Sequence, residues 1–206
     1  MGTGFFVGPR VAISAAHTFT KSVKVGTKRT GNFGKPHAGR TCTLVVDLID
    51  RENGFIIFAI EGEDAPKCLE PAPVGPDPGD ECILMAHQLG MHDELEELGK
   101  GPSVGVFPGT ITKAHECHFV YSAPSFASAS GGAIILQRGG QAVGMHTMTV
   151  NQALELQRLK SLDEDEATTG DVVQHVNSVK ESVASLIKSL SSGALGLSVP
   201  SVVAAH

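Results

Sequence analysis

The chain has 206 residues, of which 41% are hydrophobic and 18% are charged, and its formal net charge is −6. This apolar content excludes an intrinsically disordered chain, and the negative balance gives no basic footprint for nucleic acid or an anionic membrane surface. No apolar run reaches the ~20 residues of a membrane-spanning helix, so we expect neither nucleic acid nor membrane as a partner. The 24 Gly and 11 Pro, against 5 Met and no Trp, favour many turns and short strands over a helical bundle.

The N-terminal residues and the cysteines bear on the cellular compartment. No basic segment followed by an apolar stretch opens the chain, so no secretory signal is predicted. Without a signal, thiols in a chain of this size are expected to be reduced and buried, and the protein is expected to be intracellular. The four cysteines, among which there is no Cys-x-x-Cys pair, are Cys42, Cys68, Cys82 and Cys117.

The first 150 residues have the pattern of short β-strands. Two β-prone runs, Gly4–Val7 and Val11–Ala15, are separated by a Gly-Pro turn. Two longer runs, Thr41–Ile49 and Phe55–Ile60, flank Asn53-Gly54, which predicts a hairpin with a type I′ turn and a positive φ at both of its central residues. Regular short strands with Gly and Pro between them favour an antiparallel barrel or sandwich. The further predicted strands are Cys82–Ala86, Gly105–Thr112, His118–Ser122, Ala133–Gln137 and Ala142–Thr147.

A Pro-rich segment and a change of periodicity divide the chain. Residues 71–81 are rich in Pro and Gly and form neither a helix nor a central strand, so they are predicted to connect a unit at 1–70 to a second unit at 82–162. Residues 163–206 begin with an acidic loop and end in a tail expected to be poorly ordered. Between them, apolar residues at three- and four-residue spacing predict a helix at 171–190 that docks on the β core, with a partner-binding helix as the alternative.

Two segments contain the residues that suit catalysis. A Ser hydroxyl is a weak nucleophile until an imidazole accepts its proton, so a Ser among glycines and a His after an apolar strand suit nucleophilic catalysis. The first segment runs from Gly2-Thr3-Gly4-Phe5-Phe6-Val7 to Ala15-Ala16-His17, and the second is Ser128-Ala129-Ser130-Gly131-Gly132, followed by Val143-Gly144-Met145-His146-Thr147. Together the two segments resemble the chymotrypsin/trypsin-like serine peptidase family, particularly its compact intracellular and bacterial members.

The resemblance implies an all-β fold of two packed antiparallel β-barrels, followed here by the C-terminal helix. Family members usually have further strands before the first segment, so the first barrel is expected to be incomplete. The resemblance assigns Ser130 as the nucleophile, His17 as the general base, and the amides of Ser128 and Ser130 as the oxyanion hole. His146 and Gly144 fall in the stretch that lines the specificity pocket, where a His is typical of members that cut after Glu or Gln.

The acid of the catalytic triad is missing from its expected position. Depending on the match, Gly54 or Ile57 stands where the family has Asp, and neither side chain can accept a proton from the imidazole. Of the nearby acids, Asp47, Asp50 and Glu52, each reads first as an ordinary surface charge of the hairpin, and Asp50 is the best candidate among them for a replacement acid.

The sequence therefore predicts a serine endopeptidase that acts on peptide or protein substrates. No metal site and no cofactor are expected. In the best-studied serine proteases, replacing the triad Asp by Asn costs about 10⁴ in kcat, so the activity is expected to be weak. The alternative is a pseudo-protease that keeps the cleft as a peptide- or protein-binding module.

Overall fold

The computed structural model describes residues 2–33, 40–51, 53–62, 64–65, 67–88, 103–125, 128–150, 152–153 and 193–200. Within these ranges nearly all of the regular elements are β-strands, and the predicted helix at 171–190 lies outside them. The elements, in chain order, are β1 (Gly4–Gly8), β2 (Val11–Ala15), a 3-10 helix η1 (Ala16–Thr18), β3 (Lys28–Asn32), β4 (Thr41–Asp50), β5 (Phe55–Glu61), β6 (Glu81–Gln88), β7 (Ser103–His115), β8 (His118–Tyr121), β9 (Ala133–Leu136), β10 (Ala142–Thr149) and β11 (Ala194–Ser198).

The first five strands form an antiparallel sheet in the order β1-β2-β5-β4-β3, which is open in the described part of the chain. Its central strand, β5, is buried on both faces. Ile56 and Phe58 pack in a core cluster on one face, while Phe55 and Ile57 belong to a second cluster shared with the rest of the molecule. Burial on both faces explains why this strand is a continuous apolar run rather than an alternating one.

The turn between β4 and β5 differs from the predicted type I′ turn. Four residues, 51–54, separate the paired Asp50 and Phe55, and Gly54 has a positive φ of 83° whereas Asn53 does not. The Asp50 carboxylate accepts hydrogen bonds from the backbone N and the Nδ2 of Asn53, both at 2.7 Å. This carboxylate stabilises a longer turn, in which Gly54 takes the left-handed conformation.

The remaining strands form a closed six-stranded barrel in the order β10-β11-β8-β7-β6-β9. Strand β11 closes it by pairing with both β10 and β8, although it lies in the segment predicted to hold a helix and a tail. The interior is filled by the ring of Phe119, and a Cβ atom on either Gly144 or Gly196 would overlap that ring. These two glycines therefore allow neighbouring strands to pass close to a large aromatic side chain.

The sheet and the barrel pack against each other through a shared hydrophobic cluster. Phe5, Ile13 and Ile57 of the sheet belong to the same buried cluster as Met145 and Leu197 of the barrel. The Pro-rich connection follows β10 for part of its length, since Ala72 N donates to the Ala142 carbonyl at 2.8 Å and Ala142 N donates to the Glu70 carbonyl at 2.8 Å. The expected all-β fold is confirmed, since the described residues form an antiparallel sheet packed on a closed barrel, whereas the predicted C-terminal helix lies outside those residues.

Candidate active site

The end of strand β2 positions His17. The amide of Ala16 donates to the Gly54 carbonyl at 2.9 Å, and the Thr18 hydroxyl donates to the Ala15 carbonyl at 2.8 Å. These bonds turn the chain into η1 directly after the strand. Burial lowers the pKa of His17 below its ordinary value of 6.5, so the imidazole is neutral at pH 7, which is the form that accepts a proton.

A tight turn in front of β9 positions Ser130. Its neighbour Gly131 has a φ of +86°, and a Cβ there would overlap the Thr3 carbonyl and lie 2.6 Å from Ser14 Oγ. Glycine is therefore required at position 131 by both conformation and space. The amide of Gly131 donates to the His146 carbonyl at 2.8 Å, which ties the turn to strand β10.

The structure brings the segments of His17 and Ser130 together where the sheet meets the barrel. A Cβ on Gly131 would lie 3.0 Å from the amide nitrogen of Ala15, two residues before His17. The Ser130 hydroxyl donates to the Thr147 carbonyl at 3.2 Å. A hydroxyl has one proton, so in this conformation that proton faces the Thr147 carbonyl.

The structure places the candidate acids on and around the β4–β5 hairpin. Both oxygens of the Asp50 carboxylate accept hydrogen bonds from Asn53, as described above. Asp47 is exposed on β4, and Glu52 lies outside the described residues. Gly54 is one of the two positions matched with the family's Asp. Its carbonyl accepts the hydrogen bond from the Ala16 amide, so Gly54 lies beside the segment that contains His17.

The specificity candidates lie on strand β10. His146 is only 2% exposed, and its Nδ1 is 2.7 Å from the hydroxyl of Tyr121. Burial, and secondly the charge of His17, lower the pKa of His146 to about 3, so this ring is neutral across the physiological range. Gly144 lies against the Phe119 ring in the barrel interior.

Ser128 and two residues that the sequence did not single out, Thr3 and Tyr121, complete the site. The Ser128 hydroxyl donates to the His87 carbonyl at 2.7 Å, and the Ser128 carbonyl accepts the Thr3 hydroxyl at 2.9 Å. Tyr121 is the only tyrosine of the chain. Because a buried tyrosine hydroxyl needs a hydrogen-bond partner, the single tyrosine was the sequence signal that could have pointed to this part of the site.

No metal-ligand cluster of three or more His, Cys, Asp or Glu side chains occurs in the described ranges. The cysteines Cys42, Cys68, Cys82 and Cys117 are free thiols, but the expectation that they are buried holds only for Cys82, since Cys68 is exposed and the other two are half-buried. Over those same ranges, none of the helices has the length and apolar character needed to cross a membrane.

Comparison with known proteins agrees with this geometry. The family model of the trypsin-like peptidase domain matches residues 2–145. Among solved structures, the chain is similar to the MamO protease domain from Magnetospirillum magneticum, with 11% identity, a TM-score of 0.61, and coverage of 100% of this chain and 88% of that one. It is also similar to a Glu endopeptidase, with 17% identity, a TM-score of 0.56, and coverage of 71% and 73%.

A third similar structure is the active form of the Rv3671c protease from M. tuberculosis, with 17% identity, a TM-score of 0.54, and coverage of 87% of this chain and 73% of that one. A search of curated proteins found no match. At these identities the solved structures show a shared fold.

Proposed function

Because the chain belongs to the trypsin-like peptidase family, we propose that it is a serine endopeptidase with Ser130 as the nucleophile and His17 as the general base. In the reaction the Ser130 oxygen attacks the scissile carbonyl while its proton moves to the His17 ring. The tetrahedral oxyanion is then stabilised by the amides of Ser128 and Ser130. Proton return from His17 to the leaving amine breaks the peptide bond, and water hydrolyses the acyl-enzyme.

The observation that carries this proposal is the way the turn around Ser130 is fixed. Three successive carbonyls accept hydrogen bonds: Ser128 from the Thr3 hydroxyl at 2.9 Å, Ala129 from the Gly132 amide at 2.8 Å, and Ser130 from the Thr3 amide at 2.8 Å. Since C=O and N–H point in opposite directions in a trans peptide, the Ala129 bond turns the Ser130 amide away from Gly132. Within the described part of the chain that amide donates to no protein acceptor, so it is available to an oxyanion.

The hydroxyl of Ser130 makes only a weak hydrogen bond in this conformation. It now donates to the Thr147 carbonyl over 3.2 Å, which is a long hydrogen bond for a hydroxyl donor. Catalytic hydrogen bonds are often loose without substrate and tighten in the Michaelis complex. In the proposed reaction this proton leaves the Thr147 carbonyl and passes to the neutral His17 ring.

The state of Asp50 favours a second candidate function. The carboxylate accepts two hydrogen bonds from Asn53, which gives Asp50 a role in the β4–β5 turn that does not depend on the His17 ring. If no other carboxylate orients the imidazole, the protein keeps the cleft but loses most of its turnover. In that case it is a pseudo-protease that binds peptide or protein segments.

We further propose that substrates carry a hydrogen-bond acceptor, Gln or Glu, before the cleaved bond. Burial raises the pKa of Tyr121 well above its ordinary value, so its hydroxyl keeps its proton. Donation of that proton to His146 Nδ1 satisfies the buried hydroxyl, whereas the reverse arrangement leaves a buried O–H without a partner. His146 then carries its own proton on Nε2, a neutral donor suited to an amide or carboxylate oxygen. One of the similar structures is itself named a Glu endopeptidase.

Cleavage of a peptide library, with products identified by mass spectrometry, tests this proposal. We expect cuts after Gln or Glu that disappear in Ser130→Ala. In Tyr121→Phe, which keeps the ring but removes the hydroxyl, we expect at least a tenfold loss of preference for Gln and Glu over Leu. Cuts that persist in Ser130→Ala would overturn the endopeptidase assignment. Peptide binding without cutting in the wild type would establish the pseudo-protease instead.

A further inference from the structure

Thr3 is the residue that connects the turn around Ser130 to the rest of the molecule. It precedes β1, and only 6% of its surface is exposed. Both of its backbone polar atoms and its hydroxyl take part in hydrogen bonds.

Two of these bonds hold the turn. The amide of Thr3 donates to the Ser130 carbonyl at 2.8 Å, and its hydroxyl donates to the Ser128 carbonyl at 2.9 Å. The two carbonyls lie on either side of the peptide between residues 129 and 130, which contains the Ser130 amide. Fixing both flanking peptides restricts rotation of the one between them, and it thereby fixes the direction of that amide.

The other two bonds anchor Thr3 itself. Its carbonyl accepts a hydrogen bond from the Ser14 hydroxyl at 2.6 Å. Its hydroxyl oxygen accepts a hydrogen bond from the His87 amide at 3.0 Å. Ser14 lies on β2, three residues before His17, while His87 lies on β6 of the barrel. Thr3 therefore joins the strand that carries the proposed base, the barrel, and the turn that carries the proposed nucleophile.

We propose that Thr3 is a positioning residue that orients the oxyanion-hole peptide of this turn and keeps it in register with the strand leading to His17. The proposal rests on the proposed function for its effect on catalysis. Its structural part stands on the hydrogen bonds alone. A Thr side chain suits the position because one hydroxyl donates to the Ser128 carbonyl and accepts from the His87 amide at the same time.

Thr3→Val, which is nearly isosteric but lacks the hydroxyl, is the main test, and Thr3→Ser is its matched control. With a fluorophosphonate probe, we expect Thr3→Val to lower the maximal labelling rate about 10- to 100-fold while the probe concentration at half-maximal rate stays within about twofold. This range corresponds to the loss of transition-state stabilisation alone. Thr3→Ser should restore the rate to within a few-fold of the wild type.

Hydrogen exchange of the Gly131 and Gly132 amides provides a readout that does not depend on activity. We expect faster exchange at both amides in Thr3→Val, wild-type exchange in Thr3→Ser, and no change at the β7–β8 hairpin. Unchanged exchange in Thr3→Val, or equal acceleration in both variants, would overturn the positioning role. If the wild type is not labelled at all, the proposed function fails and the exchange data alone decide the role of Thr3.

A variant that leaves Thr3 in place covers the case in which Thr3→Val does not fold. Ser14→Ala removes only the 2.6 Å bond to the Thr3 carbonyl. We expect it to accelerate exchange at Gly131 and Gly132 by a smaller factor than the hydroxyl deletion. Wild-type exchange in a folded Ser14→Ala would contradict the anchoring of the turn through Thr3.

Discussion

The imidazoles of His17 and His146 are both buried, and burial lowers the pKa of each. The charge of His17 lowers the pKa of His146 further, so protonation of one ring opposes protonation of the other. A neutral His17 can accept the nucleophile's proton, and a neutral His146 bonded to Tyr121 can donate one hydrogen bond to a substrate. The same desolvation that prepares these rings for chemistry makes their charged forms costly in the folded state.

Acidification is therefore expected to destabilise the protein. A histidine whose pKa in the folded state lies below 6.5 makes its full contribution to the free energy of unfolding above pH 6.5. That contribution is lost as the pH falls toward the folded-state pKa, which is about 3 for His146. The free energy of unfolding should fall by up to about 1.4 kcal/mol per pH unit for this residue. Urea titrations between pH 7 and 5 should show a shallower loss in His146→Gln than in the wild type. The exposed His115 provides the control, and an equal effect of His115→Gln would refute the assignment to burial.

Thr3 and Tyr121 show why only part of the site was predictable. His17 and Ser130 lie in local motifs that the sequence displays directly. The bonds of the other two residues depend on tertiary contacts, and the bond from Thr3 to Ser128 spans 125 positions of sequence. No local pattern encodes a partner at that separation.

At the level of secondary structure, strands with continuous or regular apolar residues were predicted within a few positions of their observed bounds. The two strands that were missed lack that signal. Strand β3, Lys28–Asn32, is mostly exposed at the edge of the sheet, while β11 is short, fully buried and contains Gly196. The type I′ turn was wrong because the Asp50 carboxylate stabilises a longer loop. Side-chain bonds of this kind are not visible in a Gly-containing dipeptide.

The β4–β5 hairpin allows the two roles of Asp50 to be separated. Because its carboxylate caps the turn, we expect Asp50→Ala to lower the free energy of unfolding by about 1–3 kcal/mol. We expect Asp50→Asn, which keeps one acceptor, to change the probe labelling rate less than tenfold. The exposed Asp47 on the same strand is the control, through Asp47→Asn. A loss near 10⁴ in a stably folded Asp50→Asn would instead identify Asp50 as the triad acid.

At the scale of the whole molecule, the proposed site is divided between two units that pack against each other through a shared hydrophobic cluster. His17 follows a strand of the sheet and Ser130 precedes a strand of the barrel. Ile13, Ile57 and Met145 pack in the cluster between them. The geometry of the site therefore depends on the docking of the sheet on the barrel.

Met145→Ala tests this dependence because Met145 is completely buried in the shared core. Removing a large buried side chain costs about 2–5 kcal/mol. We expect the free energy of unfolding, measured with urea, to fall by an amount in that range. Probe labelling and secondary structure should be lost at the same urea concentration. Val74→Ala, at a side chain that is 68% exposed, should have little effect. Labelling that survives the unfolding of either unit would contradict a site assembled from both.

The central claim, that His17 activates Ser130, is tested most directly by the rate of covalent labelling with a fluorophosphonate probe. The probe transfers its phosphonyl group to an activated serine oxygen, fluoride leaves, and the serine proton passes to the base. We expect a single labelled peptide containing Ser130, no labelling of Ser130→Ala, and a rate about 10²- to 10⁴-fold lower in His17→Ala. Equal rates in the wild type and a folded His17→Ala, or labelling at a residue other than Ser130, would contradict the account.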